Sequence, residues 1–296
     1  MSGMIEYLQL AGATVCSAMM SIVGAFYNRK TQGKSNTNAV YSMALSFVAF
    51  VCWGVLWLTD FSFDARVLPY SLGFAVFYGA AIWGKVAAFK TGSPLITSFL
   101  CQLSLIAVSI WGFFFWNEPF TPLVAIGFCL VVCSIFLCLY SGKTDKNAEK
   151  TKFSWKWLLF VAMSFFGNAA CTIVQREQQK SFDYAHGNML MFFALLCVTV
   201  AFFALWLKTD KKDTGVILKT NGYLPAVTGV ANVLLNVFVI LLANASLSAS
   251  LVFPTMSVGA LALTTLFSVL ALKERLRWWQ WLGIALGAVA IITLSV

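Results

Sequence analysis

The sequence predicts an all-α integral membrane protein, ten transmembrane helices in two inverted five-helix repeats. Three observations predict it. Apolar residues make up 60% of the chain and charged residues 10%, with a mean hydropathy of +0.84, whereas soluble domains are about a quarter charged. Ten apolar stretches are each long enough to cross about 30 Å of hydrocarbon as a helix of about 20 residues. Finally, WNEPFTPLVAIG from Trp116 and LKERLRWWQWLG from Leu272 repeat one pattern 156 residues apart: a glutamate closes an apolar run and a glycine follows nine residues later.

The spans read, in order, as 3–27, 38–59, 66–89, 93–116, 121–141, 153–175, 187–207, 218–243, 247–271 and 278–296. The first ends against Arg29 and Lys30, the third against Lys90, and Glu118-Pro119 separates the fourth from the fifth. Lys208 and Lys273 follow the seventh and ninth, and Trp278, Trp279 and Trp281 place an interfacial belt at the start of the tenth. These runs are continuously apolar rather than alternating, which excludes barrel strands, and a helix satisfies its own backbone hydrogen bonds in lipid. Residues 1–10 carry no basic segment, so no cleavable signal peptide is expected.

The basic residues are distributed unevenly. Seventeen lie in or beside the loops after the odd-numbered spans and three, Arg66, Arg176 and Lys180, on the opposite face. The positive-inside rule then places both termini outside the cytoplasm and accounts for the net charge of +9 without a nucleic-acid partner. The eight cysteines fall inside apolar runs with no metal spacing, and His186 is the single histidine. No metal or other cofactor is implied.

The polar stretch SGKTDKNAEKTKFSWK, from Ser141, divides the chain into a first repeat (1–142), a cytoplasmic linker (143–156) and a second repeat (157–296). Five spans is an odd number, so the second half enters the membrane in the opposite sense. A shift of 156 pairs Gly73 with Gly229, Glu118 with Glu274, Gly127 with Gly283 and Leu130 with Leu286; a shift of 151 aligns Leu8, Ala11, Ala18, Ile22 and Val23 with the sixth span.

This arrangement, with its paired Glu and Gly positions, resembles the drug/metabolite transporter superfamily and specifically its EamA-like members. The resemblance implies two inverted repeats around a central cavity lined by spans one, three, four, six, eight and nine, with five and ten at the periphery. It also implies transport of small organic solutes. Some relatives are thought to keep their termini in the cytoplasm; the loop charges here favour the reverse.

Polar side chains in hydrocarbon are costly, so those near mid-span are candidate ligands for a solute. They are Asn168, with Ser17 as its counterpart in the other half, Asn232 and Asn236 one turn apart, Gln102 and Ser98 on one face, and Ser257. Each amide could instead bridge two helices. Tyr78 and Trp83 offer rings for stacking, and Lys85 is the one cation inside a span expected to line the cavity, suited to a carboxylate. Glu118 and Glu274 sit at span boundaries and read as structural. No span has Asp, Glu or His near its centre, which argues against carboxylate-based proton coupling.

The expectation is therefore a cytoplasmic (inner) membrane carrier, not an enzyme, moving a small neutral or zwitterionic metabolite by alternating access. Amino-acid export comes first. Sugar or nucleoside uptake, or efflux of organic cations, are the alternatives. The partners are a small-molecule solute and membrane lipid, and the chain is a monomer or homodimer.

Overall fold

The computed structural model describes residues 2–91, 94–117, 120–139, 154–245, 247–272 and 278–295. Among the described residues the chain is all helix: α1 (Ser2–Lys30), α2 (Thr37–Thr59), α3 (Leu68–Thr91), α4 (Pro94–Phe115), α5 (Pro122–Leu139), α6 (Trp155–Ser181), α7 (Gly187–Leu207), α8 (Thr214–Asn221), α9 (Tyr223–Ala243), α10 (Ala249–Leu272) and α11 (Trp278–Ser295). Seven of these have the length and apolarity to cross a membrane, and shorter apolar helices lie at 104–115, 122–134 and 281–290. The chain is thus an integral multi-pass membrane protein. Glu118, Glu274 and residues 143–153 of the expected linker fall outside the described residues, and the linker's last two residues, Trp155 and Lys156, already belong to α6.

Two elements depart from the sequence reading. The span expected at 218–243 is two helices, because Pro225 lacks the N–H that would continue α8 into α9. Gly222 makes the junction, where a Cβ would strike the Leu218 carbonyl. Helix α6 also runs two turns past its expected end at residue 175, carrying Arg176 and Lys180. Both cations lie over the Trp116 ring, 4.6 and 5.1 Å from its centroid, which shields their charge at the apolar boundary.

The core is a set of pairings between the two halves, most of which come in matched pairs. α3 packs on α6 and α1 on α9; α4 packs on α6 and α1 on α10; α2 meets α7 and α5 meets α11. Side-chain contacts fix the directions. Thr97, Cys101 and Ser104 meet Trp157, Ser164 and Asn168, so α4 and α6 are parallel. Gly259 lies on Thr14 and Phe267 on Phe26, so α10 and α1 are parallel. The far end of α4 meets the start of α10 through the Ser109 hydroxyl and the Ala249 carbonyl. It follows that α1 and α6 run in opposite directions.

Glycines let backbones touch where these helices cross. A Cβ at Gly84 would sit 2.7 Å from the Phe160 carbonyl, and one at Gly167 2.6 Å from the Phe77 carbonyl, so α3 and α6 approach closely over two turns. At the periphery the Gly283 carbonyl accepts a 2.6 Å hydrogen bond from Ser134 of α5. α2 and α7 enter alike, each from a residue in the left-handed region, Asn36 (φ 65°) and His186 (φ 60°), 150 positions apart.

The two ends of the bundle differ in charge. Lys30 donates to the Tyr223 hydroxyl at 2.8 Å, and Asp213 accepts from the Ser35 amide and hydroxyl, so the lysine-bearing loops after α1 and α7 share one end. At the other end His186 meets Ser62 at 2.9 Å, and Arg66 forks onto Asp64.

Candidate functional site

A cavity of about 140 Å³ lies in the middle of the bundle. Its wall is built from α1 (Ser17, Met20), α3 (Phe74, Tyr78, Ala81, Ile82, Lys85), α4 (Cys101, Leu105), α6 (Ser164, Asn168, Cys171, Thr172, Gln175), α9 (Asn232, Leu235, Asn236, Val239) and α10 (Phe253, Met256). These six helices are the ones the resemblance implied, and α5 and α11 stay outside.

The polar groups come from regular spacing. Ser164, Asn168, Thr172 and Gln175 recur every three or four residues, so a helix at 3.6 residues per turn presents them as one stripe. Asn168 donates its amide to the Ser104 hydroxyl at 2.7 Å, tying α6 to α4, and the Thr172 hydroxyl bonds back to the Asn168 carbonyl at 2.9 Å. Asn236 donates to the Asn232 carbonyl at 2.9 Å. Two buried wall atoms have no hydrogen-bond partner, the Asn232 Oδ1 and the Tyr78 hydroxyl. Such atoms are costly to leave unpaired, and each is available to a bound solute.

Charge and closure are both local. Among the described residues Lys85 is the single cation of the wall and no acidic residue lines it; its Nζ lies 5.9 Å from the centroid of the Phe89 ring. Toward the other end, Gln175 and Phe253 separate the cavity from a pocket of only about 10 Å³ beside Arg176 and Gln179. That volume admits about one water. Arg176 stacks over Phe253 at 5.8 Å, and Trp116 donates to Glu177 at 2.6 Å, so this end is shut. Pro254, beside Phe253, removes a rung of the α10 ladder and leaves a place where that helix can bend.

Six of the residues singled out from sequence line the cavity together: Ser17, Tyr78, Lys85, Asn168, Asn232 and Asn236. Trp83 does not. Five residues beyond Tyr78, it is turned about 140° around α3, and it stacks on Phe202 of α7 in an outward groove. Ser257 also lies off the cavity, fully buried, with its hydroxyl on the Phe253 carbonyl of its own helix at 3.1 Å. The side chains of Ser98 and Gln102 lie outside the described residues. Sequence reasoning missed Ser164, Thr172 and Gln175, although their spacing with Asn168 was the signal. Among the described residues no group of three or more His, Cys, Asp or Glu could hold a metal ion.

The fold and the site define an α-helical multi-pass membrane protein with a solute-sized, mostly uncharged hollow shared between its two halves. Residues 155–296 match the model of the EamA-like transporter family, and this half of the chain is an EamA-like transporter domain. That is a family of transporters rather than enzymes. A solved structure named only "Crystal structure of protein" superimposes with a TM-score of 0.65 at 12% identity, covering 96% of this chain and 98% of that one, so the two share a fold over nearly their full lengths. No curated protein sequence matched the chain.

Proposed function

We propose that the chain carries a small neutral or zwitterionic metabolite across the cytoplasmic membrane by alternating access, with export of an amino acid as the first case. The observation that carries this reading is the cavity of about 140 Å³ whose described wall has one cation, several amides and no acid. A cavity of about 150 Å³ holds one benzene, so the fit is to a solute of roughly that size. Small amino acids match; nucleosides and most drugs are too large. A carboxylate would lie toward Lys85, while the Asn232 Oδ1 accepts from an ammonium or hydroxyl. Lipophilic cations find no countercharge.

Two inverted five-helix halves rocking about this hollow would open it to one side at a time. The matched pairings and the opposite directions of α1 and α6 support that arrangement. The loop charges support termini on the outer side.

Counterflow in proteoliposomes preloaded with unlabelled alanine, serine or threonine tests the reading against hexoses and nucleosides. Saturable uptake of labelled amino acid is expected; exchange of sugars or nucleosides alone would replace the solute class, and conductance without saturation would end the carrier reading.

A further inference from the structure

Away from the central hollow, at the lysine-bearing end, a second cavity of about 600 Å³ opens between the last turns of α1 and α3 and the entry to α2. Among the described residues Arg29, Lys34 and Lys90 line it, and none of the lining residues is acidic. The nearby Asp213 carboxylate is held by Ser35 and does not reach the wall. Ala25 and Phe89 give the cavity an apolar side.

Two independent features point to an anion. Asn36 begins α2 without a side-chain capping bond, so the 23-residue helix offers its first-turn amides and the positive end of its dipole at this mouth. Separately, Thr37 lines the cavity while only 1% exposed, and its hydroxyl has no hydrogen-bond partner. A buried hydroxyl that bonds to nothing in the protein is suited to a ligand oxygen. The buried Asn28 Oδ1 is likewise unpartnered, and as an acceptor it suits a hydroxyl beside the anion.

We propose that this cavity binds a phosphate group at the membrane face. Arg29, Lys34 and Lys90 supply the charge, the α2 entry and Thr37 contact the phosphate oxygens, and Asn28 receives a neighbouring hydroxyl. A phosphodiester carrying a glycerol headgroup meets all of these requirements, with its glycerol backbone against Ala25 and Phe89. Basic recesses between helices at the face of a membrane commonly hold anionic headgroups. This site is separate from the solute cavity and does not depend on the carrier reading.

Melting of the purified full chain in neutral detergent, titrated with phosphatidylglycerol, phosphatidylcholine or inorganic phosphate, tests it. Phosphatidylglycerol is expected to raise the melting temperature saturably and phosphatidylcholine is not. A matching shift from inorganic phosphate would make the ligand the free ion. Lys34→Gln with Lys90→Gln should weaken the half-saturating concentration by roughly fivefold for each lysine removed, whereas Lys208→Gln with Lys219→Gln, exposed at the same end but off the cavity, should leave it unchanged. Ala25→Trp, at an exposed position, should block the site without altering charge. Equal losses in both lysine pairs would reduce the effect to general surface charge and overturn the proposal, as would the absence of any shift from either phosphate compound.

Discussion

Helices α1 and α6 open the two halves and hold matching places, each packed antiparallel on one helix and parallel on another from the opposite half. Their contributions to the hollow are unequal. α6 presents Ser164, Asn168, Cys171, Thr172 and Gln175, whereas α1 presents Ser17 and Met20. Their backbones differ too: Gly167 of α6 meets the Phe77 carbonyl and Ala81 amide of α3, while Gly12 of α1 meets only the Phe238 ring of α9. The architecture is matched between halves and the polar lining is not, so a solute bound in this cavity would meet different chemistry on each side.

The sharpest way to break that comparison is at the glycines. Gly167→Val drives a side chain into backbone that cannot move aside, and overpacking of this kind costs about 1–3 kcal/mol or more. The purified variant should melt about 5–10 °C lower or fail to run as a single species on size exclusion. Gly12→Ala asks only that a phenylalanine ring swing, and should cost under about 1 kcal/mol. Equal losses would mean that the two crossings are mechanically equivalent.

Transport comes next. Asn168→Ala removes the amide that joins α6 to α4 and should lower counterflow about tenfold, while Ser17→Ala on α1 should lower it no more than about threefold. Similar effects would erase the asymmetry. Lys85→Met should cost an amino acid about fivefold in half-saturation relative to its carboxamide analogue; if both shift together, the ammonium does not contact the carboxylate.

The smallest effect lies outside the bundle. The Arg66 fork beside Asp64 holds that carboxyl down at about 2, from 3.8. A lowered carboxylate pKa stabilises the fold above the ordinary value and loses that contribution as pH falls through about 2. Asp64→Asn should therefore lower the melting temperature slightly at pH 7 and not at pH 2. A loss of this pair's contribution between pH 5 and 8 would contradict the assignment. Because Arg66 is largely exposed, the pair contributes little and the change sets the baseline for the cavity variants.

Much of the fold was legible because a bilayer leaves a chain few options: apolar length dictates helices. The six cavity helices followed from the resemblance, and Asn168, Asn232 and Asn236 from the cost of amides in hydrocarbon. What depth along the chain could not supply was azimuth. Trp83 and Ser257 sit at suitable depth on the wrong faces of α3 and α10, and a helical-wheel reading of α6 would have joined Thr172 and Gln175 to Asn168. The end of α6 was misjudged for a different reason, since Arg176 and Lys180 look like a boundary until Trp116 is seen beneath them.

Two thiols of the cavity wall, Cys101 and Cys171, are free, whereas Cys129 and Cys133 lie exposed on the peripheral α5. A charged maleimide that does not partition into lipid can reach the first pair only from water, through whichever mouth is open. If the chain works by the alternating access proposed above, labelling from each compartment in turn, with and without solute, would read out which mouth is open.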